Sequence, residues 1–79
     1  MKRETIKLCQ LKEGDSATVS QIGLYGPIRR RIFDLGLVPG TQVRCLYAAP
    51  SGSPVAYEVR GATIAIRRND AQQIEVQMS

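Results

Sequence analysis

"VAYEVRGATIAI", residues 55–66, decides the fold. Val55, Tyr57 and Val59 alternate with Ala56 and Glu58, and further on Ile64 and Ile66 alternate with Thr63 and Ala65. Alternation at a period of two marks a half-buried strand, because successive side chains point to opposite faces of a sheet. Arg60-Gly61 separates the two runs and supplies a tight turn. The segment therefore reads as two neighbouring antiparallel strands.

The same period appears on either side. "SATVSQI" (16–22) sets Ala17 and Val19 against Ser16, Thr18 and Ser20. "QVRCLYAA" (42–49) sets Val43, Cys45 and Tyr47 against Arg44 and Leu46, so Tyr47 is expected in the core with Tyr57. "IEV" (74–76) alternates Ile74 and Val76 around Glu75. The expectation is a mainly β domain of about five short antiparallel strands, arranged as a meander. "APSGSP" (49–54) is a Gly- and Pro-bearing loop between two of them. Asn69 or Asp70 is expected to cap a single helical turn. In "IKLCQLKEGD" (6–15), Leu8 and Leu11 fall at helical spacing, and the segment is expected to plug one end of the core.

One short α-helix is predicted between the first and second long strands, in "PIRRRIFDLGLVPGT" (27–41). Pro27 suits the first helical position, where an N–H would go unpaired anyway. Gly36 suits the left-handed residue that ends a helix. At about 100° per residue, Ile28, Ile32 and Leu35 share an inward face. Arg29, Arg30 and Arg31 fan around the axis, and Arg30 is four residues from Asp34, within pairing reach. Val38-Pro39-Gly40-Thr41 then has the signature of a type II turn, with Pro second and Gly third.

Seventy-nine residues bound the chain to one small domain, 1–79, with a thin core. Eleven Lys and Arg against seven Asp and Glu give a net charge of +4, which favours acidic partners. No histidine is present, the acids are few and scattered, and Cys9 and Cys45 lie far apart. No catalytic residue, cofactor site or metal-ligand set is therefore predicted; the two cysteines read as reduced, packed thiols. No Gly-rich phosphate loop and no run of about 18 apolar residues occurs. The N-terminus lacks the apolar stretch of a signal peptide. The chain is expected to be cytoplasmic and not an enzyme.

The candidate contact residues are Leu24 and Tyr25, between the glycines of "GLYG" (23–26), with Arg29, Arg30 and Leu37 nearby and Pro50 and Arg68 further off. Two alternatives stay open. A basic domain can bind nucleic acid, although the basic residues come from many elements. An arginine of the 29–31 run can serve a partner GTPase as a finger.

Together, "LKEGDSATV" (11–19), "RRRIFDLGLVPGTQV" (29–43) and "APSGSPVAYEVRGATIAIRRNDAQQIEV" (49–76) resemble the ferrous iron transport protein A (FeoA) family across nearly the whole chain. The most specific stretches are residues 34–41, 49–55 and 60–71. Members often carry Asp where this chain has Ser53. The resemblance implies a small SH3-like β-barrel with one extra helix. It further implies a freestanding accessory of transition-metal handling that holds no iron itself. Such a protein would dock on the FeoB-type membrane transporter, be peripheral at the inner membrane through it, and support or regulate Fe(II) uptake. Weak self-association is compatible with that role.

Overall fold

The computed structural model describes residues 4–78. Six strands form one antiparallel sheet: β1 (Thr5–Lys7), β2 (Ser16–Ile22), β3 (Gln42–Ala48), β4 (Val55–Val59), β5 (Ala62–Ile66) and β6 (Ile74–Met78). Their order across the sheet is β1-β6-β2-β3-β4-β5. The central β2-β3-β4-β5 portion is the expected meander. The last strand departs from it by returning to lie between β1 and β2. Inner-face residues from all six strands meet in one cluster, with Val19, Val43, Tyr57, Val59, Ile74 and Val76 almost fully buried. A single sheet that shares one core across its full width must curl on itself.

The sixth strand, β1, is an addition to the expected five. It pairs Thr5 with Gln77, Ile6 with Val76 and Lys7 with Glu75, and the last pair carries a salt bridge of 3.3 Å. A single 3₁₀ turn, Leu8–Gln10, follows it. Leu8 and Leu11 are both buried, so this segment closes one end of the core as expected.

The β4–β5 turn is of the two-residue kind. Val59 faces Ala62, and Arg60 (φ 54°) and Gly61 (φ 81°) both take the left-handed conformation. That combination matches the twist of a hairpin.

Two bulges set where side chains point. In β2, Val19 faces Val76 and Gln21 faces Glu75, which leaves Ser20 as an extra residue whose hydroxyl donates to the Glu75 carbonyl (3.1 Å). In β3, Cys45 faces Tyr57 and Tyr47 faces Ala56, so Leu46 is extra. The extra residue reverses the alternation beyond it. Tyr47, expected in the core, is 58% exposed, whereas Tyr57 is fully buried and directs its hydroxyl at the Leu8 carbonyl (3.4 Å).

Helix α1 spans Pro27–Asp34, with Pro27 in its first turn. Its end is a Schellman arrangement. Gly36 (φ 95°) donates to the Phe33 carbonyl at 2.9 Å and Leu37 to the Ile32 carbonyl at 3.1 Å. This arrangement brings the residue after the glycine onto the third-last helical residue, and Ile32 and Leu37 are both buried. Leu37 thus takes the inward place projected for Leu35, which lies past the last helical residue and is 40% exposed. The turn that follows closes with Thr41 N–H on the Val38 carbonyl (3.0 Å) and Gly40 at φ 93°, the expected type II geometry. A second helical turn, α2 (Arg68–Ala71), forms where a single turn was expected. Its N-terminal cap is Arg67, not Asn69 or Asp70.

Candidate functional site

The "GLYG" loop divides its two apolar residues. Leu24 is 2% exposed and belongs to the core, while Tyr25 is 82% exposed. Gly23 anchors the loop by donating to the Gln73 carbonyl. The contact expected of Leu24 is therefore corrected: it seals the core and offers nothing to a partner. Leu37 is corrected on the same ground, being fully buried under the end of α1.

The arginines of α1 have separate roles. The Arg29 guanidinium lies 4.8 Å from the centre of the Phe33 ring and reaches the Ile22 carbonyl at 3.4 Å. It covers a half-buried aromatic, a favourable placement of a cation over a ring face. Arg30 is exposed and, among the described residues, makes no side-chain hydrogen bond; no salt bridge joins it to Asp34. Arg31 is exposed and lines a groove of about 360 Å³ between α1, β5 and α2, with Ile28, Ile32, Leu35, Pro54, Ala65, Arg67 and Asp70. Tyr25 and Leu35 lie just beyond the two ends of α1, an eight-residue helix about 12 Å long at 1.5 Å per residue. With Arg30 and Arg31 between them, they give the helix an exposed surface with apolar ends and a basic middle.

Arg68 is a different kind of residue from the one the sequence suggests. It is half-buried, its Nε donates to the Gly52 carbonyl (3.0 Å), and a terminal nitrogen donates to the Cys9 carbonyl (3.2 Å). Its backbone N–H donates to the Ser53 hydroxyl (3.1 Å), which satisfies a free donor at the start of α2. Arg68 thus staples the 49–54 loop and the 3₁₀ turn to α2. Pro50 sits exposed in that loop, three residues before the Ser53–Pro54 peptide, which is cis.

A second, larger groove of about 660 Å³ runs between the Val38–Thr41 turn and the β4–β5 hairpin, with Arg44, Glu58 and Arg60 on its walls. The Arg60 side chain crosses Gly36 so closely that a Cβ there would come within 3.2 Å of it.

The thiols sit inside. Cys45 is buried and Cys9 half-buried, and both are unpaired. Burial, with the carboxylates of Asp15 and Glu13 adding to it, pushes the Cys45 thiol up. Burial likewise pushes the Tyr57 phenol well above its ordinary range. Neither group is poised as a nucleophile at neutral pH. Among the described residues, no three His, Cys, Asp or Glu side chains are grouped to hold a metal ion, and no helix is long and apolar enough to cross a membrane.

Exposed Leu35 and Tyr47 and the groove residue Arg67 were not among the sequence-derived candidates, and Arg31 entered only through the finger alternative for the 29–31 run. Leu35 had a readable signal: it directly precedes the glycine that ends the helix. The bulge that exposes Tyr47 left none.

A curled antiparallel sheet with α1 in its second connection belongs to the SH3-like class of small barrels. The chain is a member of the FeoA family, whose domain model matches residues 6–78. It is 33% identical over 73 residues to an Fe(2+) transport protein A/Fe(2+) transporter FeoB fusion protein of Porphyromonas gingivalis. That alignment takes in 92% of this chain but 9% of the fusion protein. The solution structure of the Chlorobium tepidum FeoA protein superposes with a TM-score of 0.89 at 40% identity, covering 92% of this chain and 70% of that one. The crystal structure of Stenotrophomonas maltophilia FeoA complexed with zinc, described as a procaryotic SH3 domain protein, gives 0.76 at 32% identity, covering 90% and 88%.

Proposed function

We propose that this chain is a cytoplasmic, non-catalytic module that docks on an FeoB-type ferrous iron transporter and supports or tunes Fe(II) uptake. One observation carries the reading: in the Porphyromonas gingivalis relative, an FeoA sequence and an FeoB transporter share one polypeptide. A covalent fusion imposes a high local concentration of one part at the other, which is useful only where the two parts meet. The surface around α1 suits a docking role. Tyr25, Arg30, Arg31 and Leu35 are exposed and take no part in the core. Aromatic and Arg side chains are the residue types most enriched where binding energy concentrates.

The test is an NMR titration of the ¹⁵N-labelled chain with purified transporter, first full-length and then its cytosolic GTP-binding part. Shifts or broadening concentrated at residues 23–35 are the expected result. No perturbation by either form, together with salt-sensitive shifts on adding RNA or DNA, would overturn the reading in favour of a basic nucleic-acid binder. Measuring GTP turnover in the same samples separates assembly from activation.

A further inference from the structure

We infer that the outer edge of β5 is a strand-addition site for an extended, acid-flanked peptide segment. The inference concerns how such a segment is held, and it does not depend on the transporter supplying it.

The hairpin fixes which backbone groups are free. With a two-residue turn at Arg60-Gly61, Val59 and Ala62 form the first hydrogen-bonded pair of the ladder. In an antiparallel ladder, hydrogen-bonded and non-hydrogen-bonded pairs alternate. Glu58·Thr63 and Ala56·Ala65 are therefore the non-bonded pairs. The N–H and C=O groups of Thr63 and Ala65 point away from β4, toward the open side. Among the described residues no strand pairs with that side of β5, and no other backbone hydrogen bond reaches residues 62–66.

Edges of this kind are usually blunted by charge, proline or a bulge. The stretch Ala62–Ile66 has none of these. The opposite edge, β1, is only three residues long and engages Lys7 in a salt bridge. β5 is the edge left open.

The groove beside β5 defines the occupant. Ala65 lines it together with apolar Leu35 and Pro54, and two guanidiniums, Arg31 and Arg67, stand against one carboxylate, Asp70. A strand added to β5 would turn alternate side chains into this groove, as in other strand-addition complexes. An apolar side chain fits against Leu35, and acidic side chains fit beside Arg31 and Arg67. A second copy of this chain fits poorly, because its own Arg60 and Arg67 would come to the same short edge.

The probe is a synthetic peptide with a central Val-Thr-Leu-Thr-Val run and Glu at both ends, set against the same run flanked by Lys. Titration into the ¹⁵N-labelled chain is expected to shift the Thr63 and Ala65 amides, slow their hydrogen exchange, and favour the Glu-flanked peptide. Ala65→Pro removes one outward N–H without touching the ladder to β4, and is expected to weaken binding roughly tenfold. The same peptide N-methylated at alternate residues tests the backbone pairing with no change to the protein, and should not bind. Absence of binding at millimolar peptide, a preference for Lys flanks, or equal affinity of the N-methylated peptide would overturn the inference. So would concentration-dependent self-association through β5, which would make a second copy the occupant.

Discussion

Arg68 and Arg30 each belong to a run of consecutive arginines, and the fold uses them in opposite ways. Arg68 satisfies two backbone carbonyls from segments 16 and 59 residues away in sequence. Arg30 is exposed on α1 and, among the described residues, makes no side-chain hydrogen bond. The difference comes from what surrounds each residue. The 49–54 loop folds back on itself, with Ala49 N–H on the Pro54 carbonyl (2.9 Å) and Gly52 N–H on the Ala49 carbonyl (2.7 Å), and it presents its Gly52 carbonyl to α2. On α1, Arg29 reaches the Ile22 carbonyl, while among the described residues no carbonyl is hydrogen-bonded by Arg30. An arginine run is thus not a unit of function; its members are sorted by nearby unsatisfied carbonyls.

The contrast breaks most sharply at Arg68. Arg68→Ala deletes two charge-assisted hydrogen bonds and strands carbonyls in a half-buried site. A loss of about 2–3 kcal/mol is expected, since hydrogen bonds to charged groups contribute roughly 1.5–3 kcal/mol each and solvent compensates part of it here. Urea unfolding followed by circular dichroism measures it. A change below about 0.5 kcal/mol would mean that Arg68 is no more structural than a surface arginine.

Arg68 also acts at a distance on the buried thiol and phenol, where its positive charge partly offsets the upward shifts of Cys45 and Tyr57. Both groups are acids that hold their protons more tightly folded than unfolded. Their contribution to stability is therefore intact below each group's unfolded value and lost as pH rises above it, from about 8.5 for the thiol and about 10 for the phenol. Within that alkaline window each group costs stability at up to about 1.4 kcal/mol per pH unit. Midpoints measured from pH 7 to 10.5 should fall in this range, and the decline should begin later in Cys45→Ala. A flat profile would show that neither group holds its proton more tightly in the fold than in the unfolded chain.

These roles differ in how far they could be read from the sequence. The alternation of β2, β4, β5 and β6 and the Pro27, Gly36 and Val38–Thr41 signals are local, and each gave its element. β1 is three residues long and pairs with the far end of the chain, so no local pattern marks it. The bulge at Leu46 depends on β4 pairing, and it turns Tyr47 outward against its own alternation. In "GLYG", two adjacent apolar residues must point to different sides, and only the core decides that Leu24 enters. For the candidate site, Tyr25 and Arg30 were legible as exposed side chains; Leu24 and Leu37 were not legible as core, nor Arg68 as a staple.

Arg29 lies between the two extremes. Arg29→Ala uncovers Phe33 and removes a cation–π contact that contributes about 0.5–1 kcal/mol at an exposed site. Arg29→Lys keeps the charge but loses the planar stacking of a guanidinium, so it should recover only part of the loss. Full rescue by lysine would assign the effect to charge alone and place Arg29 with Arg30.

The smallest effect on stability is expected at Arg30, and it sharpens the contrast most. Arg30 is exposed, and among the described residues its side chain makes no hydrogen bond and no salt bridge, so in Arg30→Ala stability should stay within about 0.5 kcal/mol of the parent. Ala has a slightly higher helix propensity than Arg, which works in the same direction. If α1 is the docking surface, the same substitution, or Arg30→Glu, should still weaken transporter binding, with the charge reversal the stronger of the two. Binding titrations of Arg30→Glu and Arg68→Ala, at a temperature where both are folded, then separate surface from scaffold. A loss at Arg30 with retention at Arg68 puts the contact on the helix. The reverse pattern moves it to the 49–54 loop, where Arg68 would act by positioning Pro50.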